Sequence, residues 1–398
     1  MGYLRDFKSQ FKLKNFINYI VIALLTALFG TLSCVGVLEM STQVLFEKFA
    51  YTLIMAVSLS LVVGFLGELS LGHAAFMSIG AYLGGYFQTY VIGDLNGNTP
   101  LLGIIIAMIV GGLAAGVFGF IIGLPALKLK GDYLAIVTLA FGEIVKTVFT
   151  NSETFGAATG LKTYRYSMDT LFIIGFVALL VILAVIQNLI KSRYGREITA
   201  VRDNEIAAKS MGVNVTRIKI FVFTLSAVFA GVAGAIFSNS QFNFKSSTFD
   251  YNYSIDLLVM VVLGGMGSLN GSMIAAIVIT VLKTELTFIL PGNLAALQNV
   301  AFALILILVV VFNNSPKFKP IREKAFGWAR GLIEKLWSKI PHKNGDKGES
   351  DKGESDKGDH ADWTEIPSKI KMDALLSTDM LPPDIVGAPE KTDKGEKQ

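Results

Sequence analysis

LLGIIIAMIVGGLAAGVFGFIIGL, residues 101–124, holds no charged residue and no side-chain amide, and its reading decides the class of the protein. At a helical rise of about 1.5 Å per residue it is about 36 Å long, enough to cross a hydrocarbon core about 30 Å thick. Comparable apolar runs lie at 17–38, 48–66, 69–91, 133–150, 170–190, 218–238, 251–265, 272–290 and 296–312. A single run is compatible with a buried helix of a soluble domain; so many in one chain are not. The sequence therefore predicts an all-α integral membrane protein, a polytopic helical bundle of about ten membrane-spanning helices. Segment 251–265 is short, about 22 Å at helical rise, and reads either as a crossing or as half of a broken helix. Eight to ten crossings bracket the expectation.

Composition agrees. The chain is 52% hydrophobic and 17% charged, against about 25% charged residues in soluble domains. The single cysteine, Cys34, sits in an apolar run and can build neither a disulfide framework nor a metal site alone. His342 and His360 are too sparse for one, so no metal site is expected. The N-terminal basic residues Arg5, Lys8, Lys12 and Lys14 precede a run long enough to span, which argues against a cleaved signal peptide.

Lys and Arg gather on the cytoplasmic side of membrane proteins. They mark the arm 1–16, the loop with Lys128 and Lys130, the loop 191–217 and the stretch after 316, whereas 92–100 has none. Both termini are thereby expected inside a bacterial cytoplasmic membrane; Lys162 and Arg165 are a mild exception. The expected organisation is an arm (1–16), a transmembrane domain (17–316), a basic amphipathic cytoplasmic helix (317–340) and a disordered low-complexity tail (341–398). The tail carries GDKGESDKGESDKGDH at 345–360 and is too charged and too poor in apolar residues to fold.

Ionisable and polar groups inside spans are functional candidates by default. His73, with Glu68 nearby, is expected at a membrane edge with Ser70 as a helix cap. Glu143 and Lys146, three residues apart, are expected to pair. Ser70, His73, Ser78, Thr138 and Glu143 are the candidate translocation-path residues, with Ser58, Ser60 and Ser226 as further weakly polar lining. Lys283 and Glu285, two apart, require different partners.

The most informative polar segment is SRYGREITAVRDNEIAAKSMGVNVTRIKI, residues 192–220. Ile198, Val201, Ile206 and Met211 are spaced to line one helical face, and Gly212 with Asn214 reads as a helix stop. Such a loop is either an ordinary positive inner loop or a docking site for a soluble partner.

AAKSMG, Ala207 to Gly212, has the Ala-Ala-x-x-x-Gly spacing of the coupling loop in ABC importer permeases. GREITAVRDNEIAAKSMGVNVTRIKIFVFTLSAVFAGVAGAIF (195–237) resembles the LivM-type permeases of branched-chain amino acid importers. So do VGFLGELSLGHAAFMSIGAY (63–82), GDYLAIVTLAFGEIVKTV (131–148) and VVLGGMGSLNGSMIAA (261–276). The resemblance covers roughly 45–312, with the phrases in the expected order. It implies the ABC importer permease fold and transport of branched-chain amino acids by alternating access. It implies a second homologous permease subunit, two cytoplasmic ATPase subunits that use ATP and Mg, an extracytoplasmic substrate-binding protein and the lipid bilayer as partners, and no nucleic acid. By the same carry-over Arg202, Asp203, Glu205, Ala207, Ala208 and Gly212 form the ATPase-docking surface. The chain departs from the wider motif at two places: Ile206 stands where the acid normally precedes the alanines, and FVFTLSA (221–227) lacks the trailing Leu-Pro. No GxxxxGK[ST] phosphate loop occurs, so this chain is expected to be neither the ATPase nor an enzyme and to bind no cofactor. Transport of urea or short amides is the alternative within the family. An ion-coupled secondary transporter is the alternative outside it.

Overall fold

The computed structural model describes residues 40–92, 100–129, 131–163, 166 and 168–289, with 300, 302–304 and 307. The chain divides into two units, Met1–Pro320 and Ile321–Gln398, and the second lies wholly outside the described residues. The predicted arm 1–16, the run 17–38, most of 296–312 and the stretches 317–340 and 341–398 also fall outside them.

The described chain is helical: α1 (Met40–Ser60), α2 (His73–Tyr86), α3 (Pro100–Ala126), α4 (Asp132–Asn151), α5 (Met168–Lys191), α6 (Arg193–Asp203), α7 (Glu205–Ser210), α8 (Val215–Ser240), α9 (Tyr251–Gly264) and α10 (Leu269–Ile289). Among the described residues six stretches are long and apolar enough to cross a membrane: Thr42–Leu66, Leu102–Ala126, Asp132–Asn151, Thr170–Lys191, Val215–Ser240 and Leu269–Thr287. α9 is shorter, as its sequence predicts. On α3, Leu102, Ile105, Ile109, Leu113 and Val117 are exposed at intervals of three or four, an apolar stripe suited to hydrocarbon. α1 is the opposite case, buried along almost its whole span.

The predicted span 69–91 is not one helix from its start. α1 continues as a π-helical turn, Leu61–Leu66, and stops at Gly67, whose φ of 79° is left-handed. Residues 67–72 run without helical structure, and α2 begins only at His73. A π-helical stretch, Phe87–Ile92, extends α2. Ser70 does not cap α2: Gly72 holds the cap position and makes no side-chain bond. The backbone groups released by this break find side-chain partners. Leu71 N–H donates to Thr138 Oγ1 (3.0 Å) on α4, and Ala74 N–H donates to Ser254 Oγ (3.1 Å) on α9. Such substitution is what permits irregular backbone at membrane depth.

α8 is packed against α2 and α3 through small residues. A Cβ built on Gly80 of α2 would collide with the backbone of Gly231 on α8, and one on Gly111 of α3 would lie 2.7 Å from the Gly80 carbonyl. Close approach of this kind maximises van der Waals contact where lipid offers no hydrophobic drive for helix association. α9 and α10 form a hairpin closed by Gly265 (φ 94°) and Gly267 (φ 85°). A two-stranded antiparallel ribbon, β1 (Leu161–Lys162) with β2 (Asn243–Phe244), pairs Leu161 with Phe244 at the end away from the 192–214 loop.

Candidate coupling surface and interior polar cluster

The loop segment is built by three local caps. Ser192 Oγ accepts from Gly195 N–H (3.4 Å) and starts α6. Asn204, in extended conformation, ends α6, and its Oδ1 accepts from Ala207 N–H (3.0 Å) to start α7. Asn214 Oδ1 accepts from Arg217 N–H (3.1 Å) to start α8. Gly212 has φ 86° with open space around it, the left-handed turn its sequence predicts. The expected single apolar face is corrected. Asn204 breaks the helix, so Ile198 and Val201 are buried, while Ile206 (76%) and Met211 (84%) are exposed. We expect Asn204→Ala to cost α7 about 1 kcal/mol, so that hydrogen exchange at the Ala207 amide speeds up by about fivefold. Unchanged exchange would mean that α7 does not depend on this cap.

The six predicted docking residues do not share one environment. Ala207 is exposed, whereas Ala208 is buried within its own chain. Arg202 pairs with Asp203 (2.9 Å), lies over Gly67 and donates to the Gly64 carbonyl (3.4 Å). Glu205 reaches Lys219 Nζ (3.3 Å), which also meets Glu68 Oε1 (2.5 Å). Lys219, only 4% exposed, thus ties the loop to the segment that follows α1. A buried cation is tolerated only when paired and hydrogen-bonded. Sequence reasoning did not single out Lys219, because a lysine at the head of a span resembles the topology-setting charges around it. Its position beside Ile218, inside the apolar run, was the available signal.

The path candidates also separate. His73 was expected near water but is 1% exposed. It shares a 2.8 Å hydrogen bond with the Ser58 hydroxyl, which itself donates to the Met55 carbonyl (2.9 Å). Ser226 Oγ donates to the Ser58 carbonyl (2.6 Å), so α1, α2 and α8 meet at one polar knot. Ser60 is met by Ser272 Oγ at 3.4 Å. Among the described residues the buried hydroxyls of Ser70 and Ser78 meet no hydrogen-bond partner. Thr138 holds segment 67–72, as above. Glu143 stands apart on a partly exposed face of α4, paired with Lys146 (3.2 Å) as predicted. Lys283 finds its partner in Asp256 across the α9–α10 hairpin. Among the described residues no group of three or more His, Cys, Asp and Glu is placed to hold a metal ion.

The arrangement is a mechanical one. A six-residue segment of irregular backbone, 67–72, is fastened at one end to the loop through Glu68, Lys219 and Arg202. At the other it is held by Thr138 of α4 and leads into α2, whose start is held by Ser254 of α9 and whose His73 joins the polar knot.

Comparison with known proteins supplies the context. The chain is 34% identical over 286 residues to the high-affinity branched-chain amino acid transport system permease protein LivM of Escherichia coli K12, covering 62% of this chain and 65% of that protein. It is 26% identical over 254 residues to a probable LivM of Methanocaldococcus jannaschii, covering 58% and 73%. It is 26% identical over 222 residues to the ribose import permease protein RbsC of Haemophilus influenzae, covering 52% and 67%. The chain thus spans somewhat under two thirds of the length of its bacterial LivM relatives. No solved structure matches it. The family model described as "Branched-chain amino acid transport system / permease component" matches residues 41–311, which contain both the loop and the polar knot, and the chain belongs to that family.

Proposed function

We propose that this chain is the membrane-spanning subunit of an ATP-driven importer that moves branched-chain amino acids into the cell by alternating access. In this reading the loop 192–214 is cytoplasmic and receives the stroke of separate ATPase subunits. A second permease subunit completes the pathway, and an extracytoplasmic binding protein delivers the cargo. The observation that carries it is the buried Lys219 bridging Glu205 of the loop and Glu68 of segment 67–72. An ordinary solvated loop has no need of such a bridge, whose burial is costly unless the two parts stay together. The exposed Ile206 and Met211 at the tip give a partner apolar surface to grip.

The test is uptake into proteoliposomes carrying this chain with its partner subunits and binding protein. We expect leucine to accumulate only with ATP inside the compartment that the loop faces. Uptake driven by an ion gradient without ATP, or uptake of ribose or urea in place of leucine, would refute the reading.

A further inference from the structure

α1, α9 and α10 line an open cavity of about 220 Å³ near the end of the bundle away from the loop. The walls are polar at helical spacing. α10 contributes Thr280, Lys283, Thr284 and Thr287, at positions i, i+3, i+4 and i+7, a hydrophilic stripe on a helix otherwise apolar enough to span. α1 contributes Lys48, Tyr51 and Thr52, and α9 contributes Tyr253, Asp256 and Met260, again one face of each. Lys48 on α1 lies about 27 Å of helical rise from Leu66, where α1's π-helical end meets the loop.

Three charges face this cavity, two positive and one negative. Lys283 is held by Asp256 and sits 4.6 Å from the centre of the Phe302 ring. Lys48 has the charge of neighbouring Glu47 acting on it, but Glu47 does not line the cavity. The Tyr253 hydroxyl is buried, with Thr52 beside it in the cavity wall. A spanning helix carries such groups only at a cost, which makes them functional by default. A structural pair would need one lysine, not two, and no room between helices.

We propose that this cavity binds the charged backbone of a free amino acid, its carboxylate at Lys48 and its ammonium at Asp256, with Met260 beside the apolar side chain. Lys48 offers a cation to the carboxylate, Asp256 an anion that the ammonium would share with Lys283, and the thioether of Met260 an apolar wall. The proposal rests on the function proposed above and names a subsite for its cargo.

The probe is photo-leucine, which keeps both backbone charges, irradiated during turnover of the complete reconstituted transporter. We expect adducts on α9 and α10, Met260 among them. Lys48→Met should lower both adduct yield and leucine uptake at least tenfold, with the complex recovered in wild-type yield. Asp256→Asn should do the same. The charge-swapped pair Asp256→Lys with Lys283→Asp keeps an ion pair but moves the carboxylate from α9 to α10, and should be inactive. Uptake restored by the swap, or adducts and uptake retained in Lys48→Met, would overturn the subsite while leaving the importer reading intact. Absence of leucine uptake by the wild type would instead bring down the importer reading and the subsite with it.

Discussion

Replacing Lys219 by Met is expected to cut ATP-driven uptake at least tenfold while the chain still inserts and assembles. The side chain is buried, and its two carboxylate partners come from opposite sides of the joint. Removing one member of a buried ion pair leaves the other desolvated and uncompensated, at about 3–5 kcal/mol. The Glu68 carboxylate, itself largely buried, is the group so stranded. The joint then has two ways to respond: water enters, or segment 67–72 moves away from α8. Either separates the loop from the polar knot. Glu68→Gln should be less severe, since a neutral amide still accepts from Lys219. Glu205→Gln should be mildest, because Glu205 is about a third exposed and its pair is screened by solvent. The double variant Lys219→Met with Glu68→Leu should recover part of the loss, because both buried charges are then gone. Uptake within twofold of wild type in Lys219→Met would show that the bridge carries no stroke.

The second large effect is on folding. Gly80→Leu should yield no properly folded protein in detergent, read as loss of a sharp unfolding transition. The new side chain has nowhere to go, since even its first carbon meets the Gly231 backbone. Helices α2 and α8 would have to part along their length, and overpacking of a rigid backbone contact has no flexible side chain to absorb it. Gly212→Ala isolates the other reason for glycine. Nothing lies within 4 Å of a Cβ there, but φ is 86°, so the cost is confined to left-handed strain of about 1 kcal/mol. A folded Gly80→Leu would mean that the small-residue crossing is looser than the packing described above.

Much of this was legible in the amino-acid order, and the exceptions share a cause. Apolar length identified α1, α3, α4, α5, α8 and α10, because the requirement to satisfy every backbone group in lipid leaves long helices as the simple solution. The short α9 and the left-handed Gly212 were legible from length and from glycine placement. At 67–72 a boundary was legible, since the runs 48–66 and 69–91 are separate, but its burial was not. Leu66, Leu69 and Leu71 keep the stretch apolar, and what permits irregular backbone there is supplied by Thr138 and Ser254, far away in sequence. Asn204 was hidden for a related reason: an Asn inside an apparently periodic helix reads as tolerated until its side chain is seen capping the next one. The polar knot at Ser58, His73 and Ser226 involves three helices, and no local spacing announces it. The cavity lined by Lys48, Asp256 and Lys283 likewise exists only once α1, α9 and α10 are set side by side.

Segment 67–72 has one more consequence. Fixed by side chains at both ends, it acts as a ruler: six residues of extended backbone reach at most about 20 Å, and the attachment points at Lys219 and at His73 must be that far apart or less. Gly72 cannot take a side chain, since a Cβ there would lie 2.2 Å from the Thr138 carbonyl oxygen, and the count of residues is fixed as well. Inserting or deleting a single residue there would shift His73 out of register with Ser58 even if every contact residue were kept. Swapping the side chains of Leu69 or Leu71 for other apolar groups would leave the gauge intact. In this chain, length itself is a property under constraint where the backbone between α1 and α2 leaves the helix.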